Sequence, residues 1–437
     1  MTAEPLIPVP HLATALQGPL LELERQFLAN QIAIEAWFRE QWRRTPPPIY
    51  SSVDLRNAGF KISPVDTNLF PAGFNNLNPD FMPLCIQAMQ STIEQICPEV
   101  SQILLIPENH TRNMFYFESV AVLTEILVKA GFAVRIGSLL PDLTEPKEWS
   151  LPSGKKILLE PLVRKNNKVG VADFFPCLVL LNNDLSDGVP PILENLSQLI
   201  MPSLALGWAT RLKSQHFAHY QQVSEEFAAR FELDAWQIAP LFDYCDEINF
   251  MTREGEACLA AHVDSLLTRI KYKYQQQNID LPPFVVIKAD AGTYGMAVMT
   301  VRSVEDVQQL NRKQRTRMAT LKGGRSVDRV IIQEGVYTSE RHGPTQAVAE
   351  PVVYMVGRHV VGGFYRVHQE RGDTENLNAP GMYFEQLAFE EACNNPSREL
   401  GCEHRANRFY LYGVIARLAA VAAARELQQA GGKLSCR

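Results

Sequence analysis

The sequence predicts an α/β protein in two parts, an open α/β unit over residues 1–204 and a strand-rich α+β unit over residues 205–437. The first part is predicted by a strand, polar loop, amphipathic helix and strand in succession between residues 102 and 140, the order an open sheet requires. The second is predicted by a change of character at Pro282, after which short apolar runs separated by glycines replace long helical patterns. A chain of 437 residues, 46% hydrophobic and 21% charged, can bury two or three substantial cores.

Taken in order, residues 12–44 carry apolar positions at helical spacing, and the prolines of "RTPPPIYSS" end that helix. The stretch "SSVDLRNAGFKISPVDTNLFPAGFNNLNPDF" is dense in Asn, Asp, Gly and Pro and reads as turns with little regular structure. "SQILLIPENHTRN", "YFESVAVLTEILVKAG" and "FAVRIGSLL" give strand, helix and strand, and "FPCLVLLNNDLSDG" a further strand ending in Asn and Asp. Ligands of open sheets gather at the carboxyl ends of strands, so residues 108–113 and 182–184 are candidate site loops. Residues 203–275 read mostly as helices, and "FYLYGVIARLAAVAAARELQQAGG" as a closing helix that could pack against a second copy as easily as within the chain.

A net charge of −6 and an isoelectric point near 5.9 supply no global reason to bind nucleic acid or an anionic membrane. The eight cysteines form no CxxC pair and several lie in apolar strings, which predicts buried reduced thiols. No uncharged apolar run reaches membrane-spanning length and no secretory pattern opens the sequence, so a cytoplasmic protein is expected. His216 and His219 sit three apart on a helix without a third ligand at suitable spacing, which favours capping or surface roles.

"FVVIKADAGTYGMAVMTV" is neither a Walker loop nor a dinucleotide fingerprint, because its glycines are followed by a strand. It reads as a hairpin whose loop, with Gly292, Thr293, Tyr294 and Gly295, can fold over phosphates, with Lys288 as a point charge. Alone, the string fits an ordinary hairpin equally well. About forty residues later "DRVIIQEGV" is a strand whose end, Gln333, Glu334 and Val336, can offer backbone groups to an adenine edge. Two further strands meet at Gly357 and Arg358, followed by Arg366 and by Asp373, Glu375, Asn376 and Asn378, either a solvated acidic loop or hard ligands for Mg²⁺ held with ATP.

This order resembles the ATP-grasp fold, preceded by the α/β domain usual in such ligases. More narrowly, "VDTNLFPAGFNNL", "LIPENHTRN", "LGWATRLKSQHF", "VIKADAGTYGMAVM" and "ENLNAPG" resemble the glutamate-cysteine ligase family of proteobacteria, of the type first recognised in iron-oxidising bacteria. The resemblance implies ATP-dependent joining of the glutamate γ-carboxyl to the cysteine amine through a γ-glutamyl phosphate, the first step of glutathione biosynthesis. It implies ATP and Mg²⁺, with Lys288 and the loop on phosphates and Arg366 stabilising the transferring group. "ENLNAPG" departs from the usual E-x-N spacing, so the metal ligands are drawn from Glu350, Asp373, Glu375, Asn376 and Asn378. Arg56, Asn75, Asn76, Arg112 and Arg211 are the expected carboxylate and amide contacts, and Asp66 the expected partner of an ammonium; each also suits a turn or cap. The competing readings are a glutathione-synthetase-like ligase, sharing the nucleotide half, and a non-catalytic ATP sensor, against which Arg366 and the acid/amide cluster argue.

Overall fold

The computed structural model describes residues 19–109, 113–292, 297–320, 326–387 and 408–431. Arg112, Thr293, Tyr294 and Gly295 lie outside them.

The amino-terminal helical pattern forms two helices, α1 (Pro19–Ala29) and α2 (Gln31–Arg44), and Thr45 caps the second as the prolines begin. The next stretch departs from the expectation of turns. It forms the antiparallel pair β1 (Tyr50–Asn57) and β2 (Ile62–Asn68). Alternation is legible there only once a sheet exists to bury one face, because the residues on the other face are Ser, Asp and Arg and resemble loop composition. Helix α3 (Met82–Ile96) follows two short 3₁₀ turns.

The strand, helix and strand predicted between residues 102 and 140 form. β3 (Gln102–Pro107), α4 (Met114–Lys129) and β4 (Ala133–Ser138) form a parallel crossover, with the Asn113 side chain capping α4 through the Tyr116 amide. β5 (Lys147–Ser150), β6 (Lys156–Lys165), β7 (Lys168–Val171), β8 (Leu178–Asn182) and β9 (Leu199–Met201) complete a sheet ordered β5-β6-β4-β3-β8-β9, with β7 on β6. The carboxyl ends of β3 and β8 lie side by side, Pro107 opposite Asn182.

Helix α5 (Lys213–Phe231), β10 (Phe242–Cys245) and α6 (Glu256–Gln276) lead into the hairpin of β11 (Val285–Ala289) and β12 (Val298–Val301). Helices α7 (Val304–Gln308) and α8 (Arg312–Ala319) connect it to β13 (Val330–Glu334), giving an antiparallel sheet β10-β13-β11-β12. Alternation divides this sheet: Val285, Ile287, Ala289, Val330 and Ile332 pack beneath α6, while Val286, Lys288 and Gln333 face the other way.

The largest antiparallel sheet joins distant parts of the chain. β14 (Arg341–His342), β15 (Ala347–Val356), β16 (His359–His368) and β17 (Tyr383–Gln386) continue into β1 and β2 in the order β17-β16-β15-β1-β2. Residues 50–68 therefore share a sheet with residues 347–386, and this sheet crosses the expected division at residue 204. One face, with Val53, Leu55, Ala349, Val353 and Val367, packs on the closing helix α9 (Arg408–Gln429). That helix is buried along all of residues 410–424, so its alanines pack within the chain.

Cys85 and Cys245 are buried as expected, whereas Cys177 and Cys258 are exposed. Among the described residues no helix is long and apolar enough to cross a membrane.

Candidate active site

The other face of the large sheet opens into a cleft of about 940 Å³. Side chains two apart on a strand share a face, so Ser52, Asp54 and Arg56 of β1 line up beside Glu350, Val352 and Tyr354 of β15 and Phe364 and Arg366 of β16. Asp66 of β2 stands directly opposite Asp54. Lys288, Gln333 and Gly292 come from the β11–β13 sheet, and Glu108, Asn113 and Asp184 from the carboxyl ends of β3 and β8. The two loops singled out in the sequence thus reach the same cleft.

Arg366 is the centre of the polar wall. Its Nη1 donates to Asp54 Oδ2 at 2.9 Å and to Glu350 Oε1 at 2.5 Å, while its Nε is buried without a partner among the described residues. Burial opposes the guanidinium charge, but the two carboxylates more than offset it and hold its pKa above the ordinary arginine value. Arg56 donates from Nε to Glu350 Oε2 at 3.2 Å, from Nη1 to the Val336 carbonyl and from Nη2 to the Glu375 carbonyl. Asp54 is pushed above the usual carboxylate range by burial and by Glu350 and Asp66, against the pull of Arg366.

Across the cleft Lys288 Nζ donates to the Val65 carbonyl at 2.9 Å and to Gln333 Oε1 at 2.8 Å. Burial lowers its pKa to about 8 despite Asp66. Among the described residues the buried Gln333 Nε2 has no partner. Lys213, at the start of α5, lies 3.9 Å from the centre of the Trp208 ring and donates to the Gly292 carbonyl at 2.6 Å. Asp66 is half-buried, and although desolvation works against its charge, Lys213, Lys288 and Arg211 hold its pKa below the usual value.

Several expected roles do not match the placement. Arg211 is outside the cleft lining; it clasps Glu426 of α9 at 2.8 and 3.0 Å and the Thr67 carbonyl at 2.7 Å, tying β2, α5 and α9 together. His216 is not a surface or capping residue but a buried partner of the same Glu426 at 3.1 Å, whereas His219 is exposed beside Gln429. Asp373 and Glu375 also miss the cleft lining. Asp373 faces Arg341 at 3.8 Å, and Glu375 accepts from Arg371 and from the Gly372 amide, which hold its pKa down. Asn376 and Asn378 remain in the lining, Asn376 Oδ1 accepting from the Asn378 amide.

Glu334 borders the cleft with its carboxylate turned inward, accepting from Lys61, Trp236 Nε1 and the Leu241 amide. Its own amide and that of Gly335 are bound to Leu241 and Phe284, so the strand end has fewer free backbone groups than expected. Asn75 and Asn76 line the cleft, bonded to each other at 3.3 Å. Asp54 and Lys213 were not singled out in the sequence. Asp54 sits two residues before Arg56 in a segment read as turns, and Lys213 lies in "LGWATRLKSQHF", a string that carried the family resemblance without a role for that lysine.

A deep cleft whose cations alternate with carboxylates along a sheet defines an enzyme that handles small charged substrates. The glutamate-cysteine ligase sequence family matches residues 24–427, and the chain belongs to that family: it is an ATP-dependent ligase. The crystal structure of a protein from Methylobacillus flagellatus KT, provisionally named a gamma-glutamylcysteine synthetase, is 56% identical, superposes with a TM-score of 0.89 and aligns over 96% of this chain and 99% of that one. A glutathione synthetase-like effector from Globodera pallida is 11% identical over 84% of this chain and 80% of that one, with a TM-score of 0.35. D-alanyl-alanine synthetase A from Vibrio cholerae is 9% identical over 73% and 81%, with a TM-score of 0.34. No protein among the curated sequences matches the chain.

Proposed function

We propose that the cleft joins the γ-carboxyl of glutamate to the amine of cysteine, with the sheet wall around Arg366 as the reacting site. The observation that supports this most is the pair of unsatisfied buried donors, Arg366 Nε and Gln333 Nε2, in one cleft beside Lys288. A buried donor without a partner costs roughly 1–3 kcal/mol. An anion in the cleft that reaches either donor relieves that cost.

A carboxylate resists attack by an amine until its oxygen becomes a leaving group. The γ-phosphoryl group of ATP passes to the glutamate γ-carboxylate, ADP departs, and the amine then displaces phosphate from the acyl carbon as the amide bond forms. Lys288 and Gln333 hold phosphate oxygens, and Gly292, at the foot of the hairpin, lines the same cleft. Arg366, kept charged and aimed by Asp54 and Glu350, stabilises the negative charge that grows on the transferring group and on the tetrahedral carbon. Arg56 orients a substrate carboxylate. Asp66, held in its charged form by Lys213 and Lys288, favours the charged form of those lysines and keeps its proposed contact to a substrate ammonium beside Asp54.

The donor set fits Mg²⁺: Glu350 keeps a second lone pair on each oxygen beyond its arginine bonds, and Asn376 and Asn378 add amide oxygens in the same lining. Held there with ATP, the ion would neutralise phosphate charge. Asp373 and Glu375 are not assigned to it. Thr293, Tyr294, Gly295 and Arg112 keep their proposed nucleotide and substrate roles on the resemblance alone.

The test is ADP release by the purified chain with Mg²⁺, supplying glutamate and cysteine together and then omitting each. Release that needs both, with γ-glutamylcysteine identified by mass, is expected. Release only with γ-glutamylcysteine and glycine would assign the second ligase step instead.

A further inference from the structure

On the opposite, helix-covered side of the β10-β13-β11-β12 sheet, away from the cleft, metal-capable side chains converge. Asp243 and Cys245 stand two apart on β10 and share one face; Cys258 and His262 stand four apart on α6 and share one stripe. The two cysteine sulfurs and one imidazole nitrogen all lie within 4.8 Å of one another. Cys245 is buried and Cys258 exposed, so the cluster has an open side through which an ion can enter. His262 Nδ1 is 2.7 Å from Asp243 Oδ2.

We propose that Cys245, Cys258 and His262 form a binding site for a thiophilic divalent cation of the zinc class, with Asp243 orienting the imidazole. Two thiols and an imidazole are the donors such an ion selects over Mg²⁺, which prefers oxygen. With Nδ1 donating to Asp243, the ring's lone pair rests on Nε2, the arrangement by which a carboxylate fixes the tautomer of a metal-bound histidine. The sulfurs stand 3.1 Å apart. Two thiolates on one tetrahedral zinc, at Zn–S of about 2.3 Å, stand about 3.8 Å apart. The pair must therefore open by about 0.7 Å, which a rotation of exposed Cys258 supplies. A disulfide would account for two close sulfurs but not for an imidazole nitrogen within 4.8 Å of both.

The ion would clamp the free edge of the sheet to the first turns of α6. Phe242, on the same short strand, pairs with Gln333 in the next one, so the clamp steadies the strand that carries the cleft's unsatisfied amide.

Cobalt tests this, because thiolate ligation gives a charge-transfer absorption that the oxygen-lined cleft does not. The full chain, reduced and stripped with chelator, is titrated with Co²⁺ in buffer containing excess Mg²⁺. The expected result is a charge-transfer band saturating at about one Co²⁺ per chain, bleached by Zn²⁺. Cys258→Ser should abolish it, and Asp243→Asn should weaken Co²⁺ binding by roughly 10-fold or more. Circular dichroism and ligase turnover of Cys258→Ser report whether that variant still folds; His262→Ala supplies a second loss at the imidazole. Absence of the band in the wild type, its persistence in Cys258→Ser, or a Cys245–Cys258 disulfide found by peptide mapping of the unreduced chain would overturn the proposal.

Discussion

Arg366 and Glu350 stand directly opposite each other on paired strands, and the arginine Nη1 donates to the carboxylate across 2.5 Å while its Nε has no partner among the described residues. The carboxylate thus aims the guanidinium without using up its donors. Replacing Arg366 with Ala should lower kcat by about 10²–10³-fold, the size expected for one lost donor to developing charge. Nucleotide affinity should change far less. Steady-state kinetics beside ATP binding by calorimetry separates the two, and an equal loss in both would assign Arg366 to ground-state binding.

Lys288 carries a pH dependence. Burial depresses its pKa to about 8, so its charge is present below that value and lost as pH rises through it, well before an ordinary lysine would titrate. kcat/KM for ATP should therefore fall above pH 8. Lys61, buried against Glu334, also titrates near 8, so the profile alone is ambiguous. Lys288→Arg resolves it, since an arginine stays charged and should carry the plateau upward.

The Arg211–Glu426 pair is structural. Removing one partner of a buried ion pair strands the other charge, and Glu426→Ala should cost about 3–5 kcal/mol by denaturant unfolding. Burial alone would raise the Glu426 pKa, but Arg211 and His216 lower it to about 2. Its contribution is accordingly full above the ordinary carboxylate value and lost as pH falls from there toward 2. A variant with unchanged acid stability would contradict this.

Gly335 follows Glu334 at the end of β13, and a β-carbon there would lie 2.1 Å from the Phe284 ring, itself fully buried. Gly335→Ala should destabilise by about 1–3 kcal/mol through overpacking. Because the strand end must shift, KM for ATP should rise while the glutamate dependence is kept. Thermal unfolding and substrate kinetics on one preparation check both.

Local pattern alone determined much of this protein. Helical spacing and prolines delimit the amino-terminal helices, the strand, helix and strand order predicts the parallel crossover, and the Lys288 hairpin with the strands meeting at Gly357 marks the nucleotide half. Long polar strings identified the family because many side chains must each be right for one chemistry. Tertiary structure decided the rest. Asp54 and Arg56 lie in a segment whose composition resembles a loop, and it becomes a strand only because β15, some three hundred residues away, supplies its hydrogen-bonding partner. Arg211 and His216 read as ligand-binding or surface residues until Glu426 of the last helix is brought against them. Which carboxylates reach the cleft, Glu350 and Asp54 but not Asp373 or Glu375, depends on strand register and on loop hydrogen bonds. A polar side chain has the same identity whether it binds a substrate or another residue, and only the partner that folding brings to it decides between them.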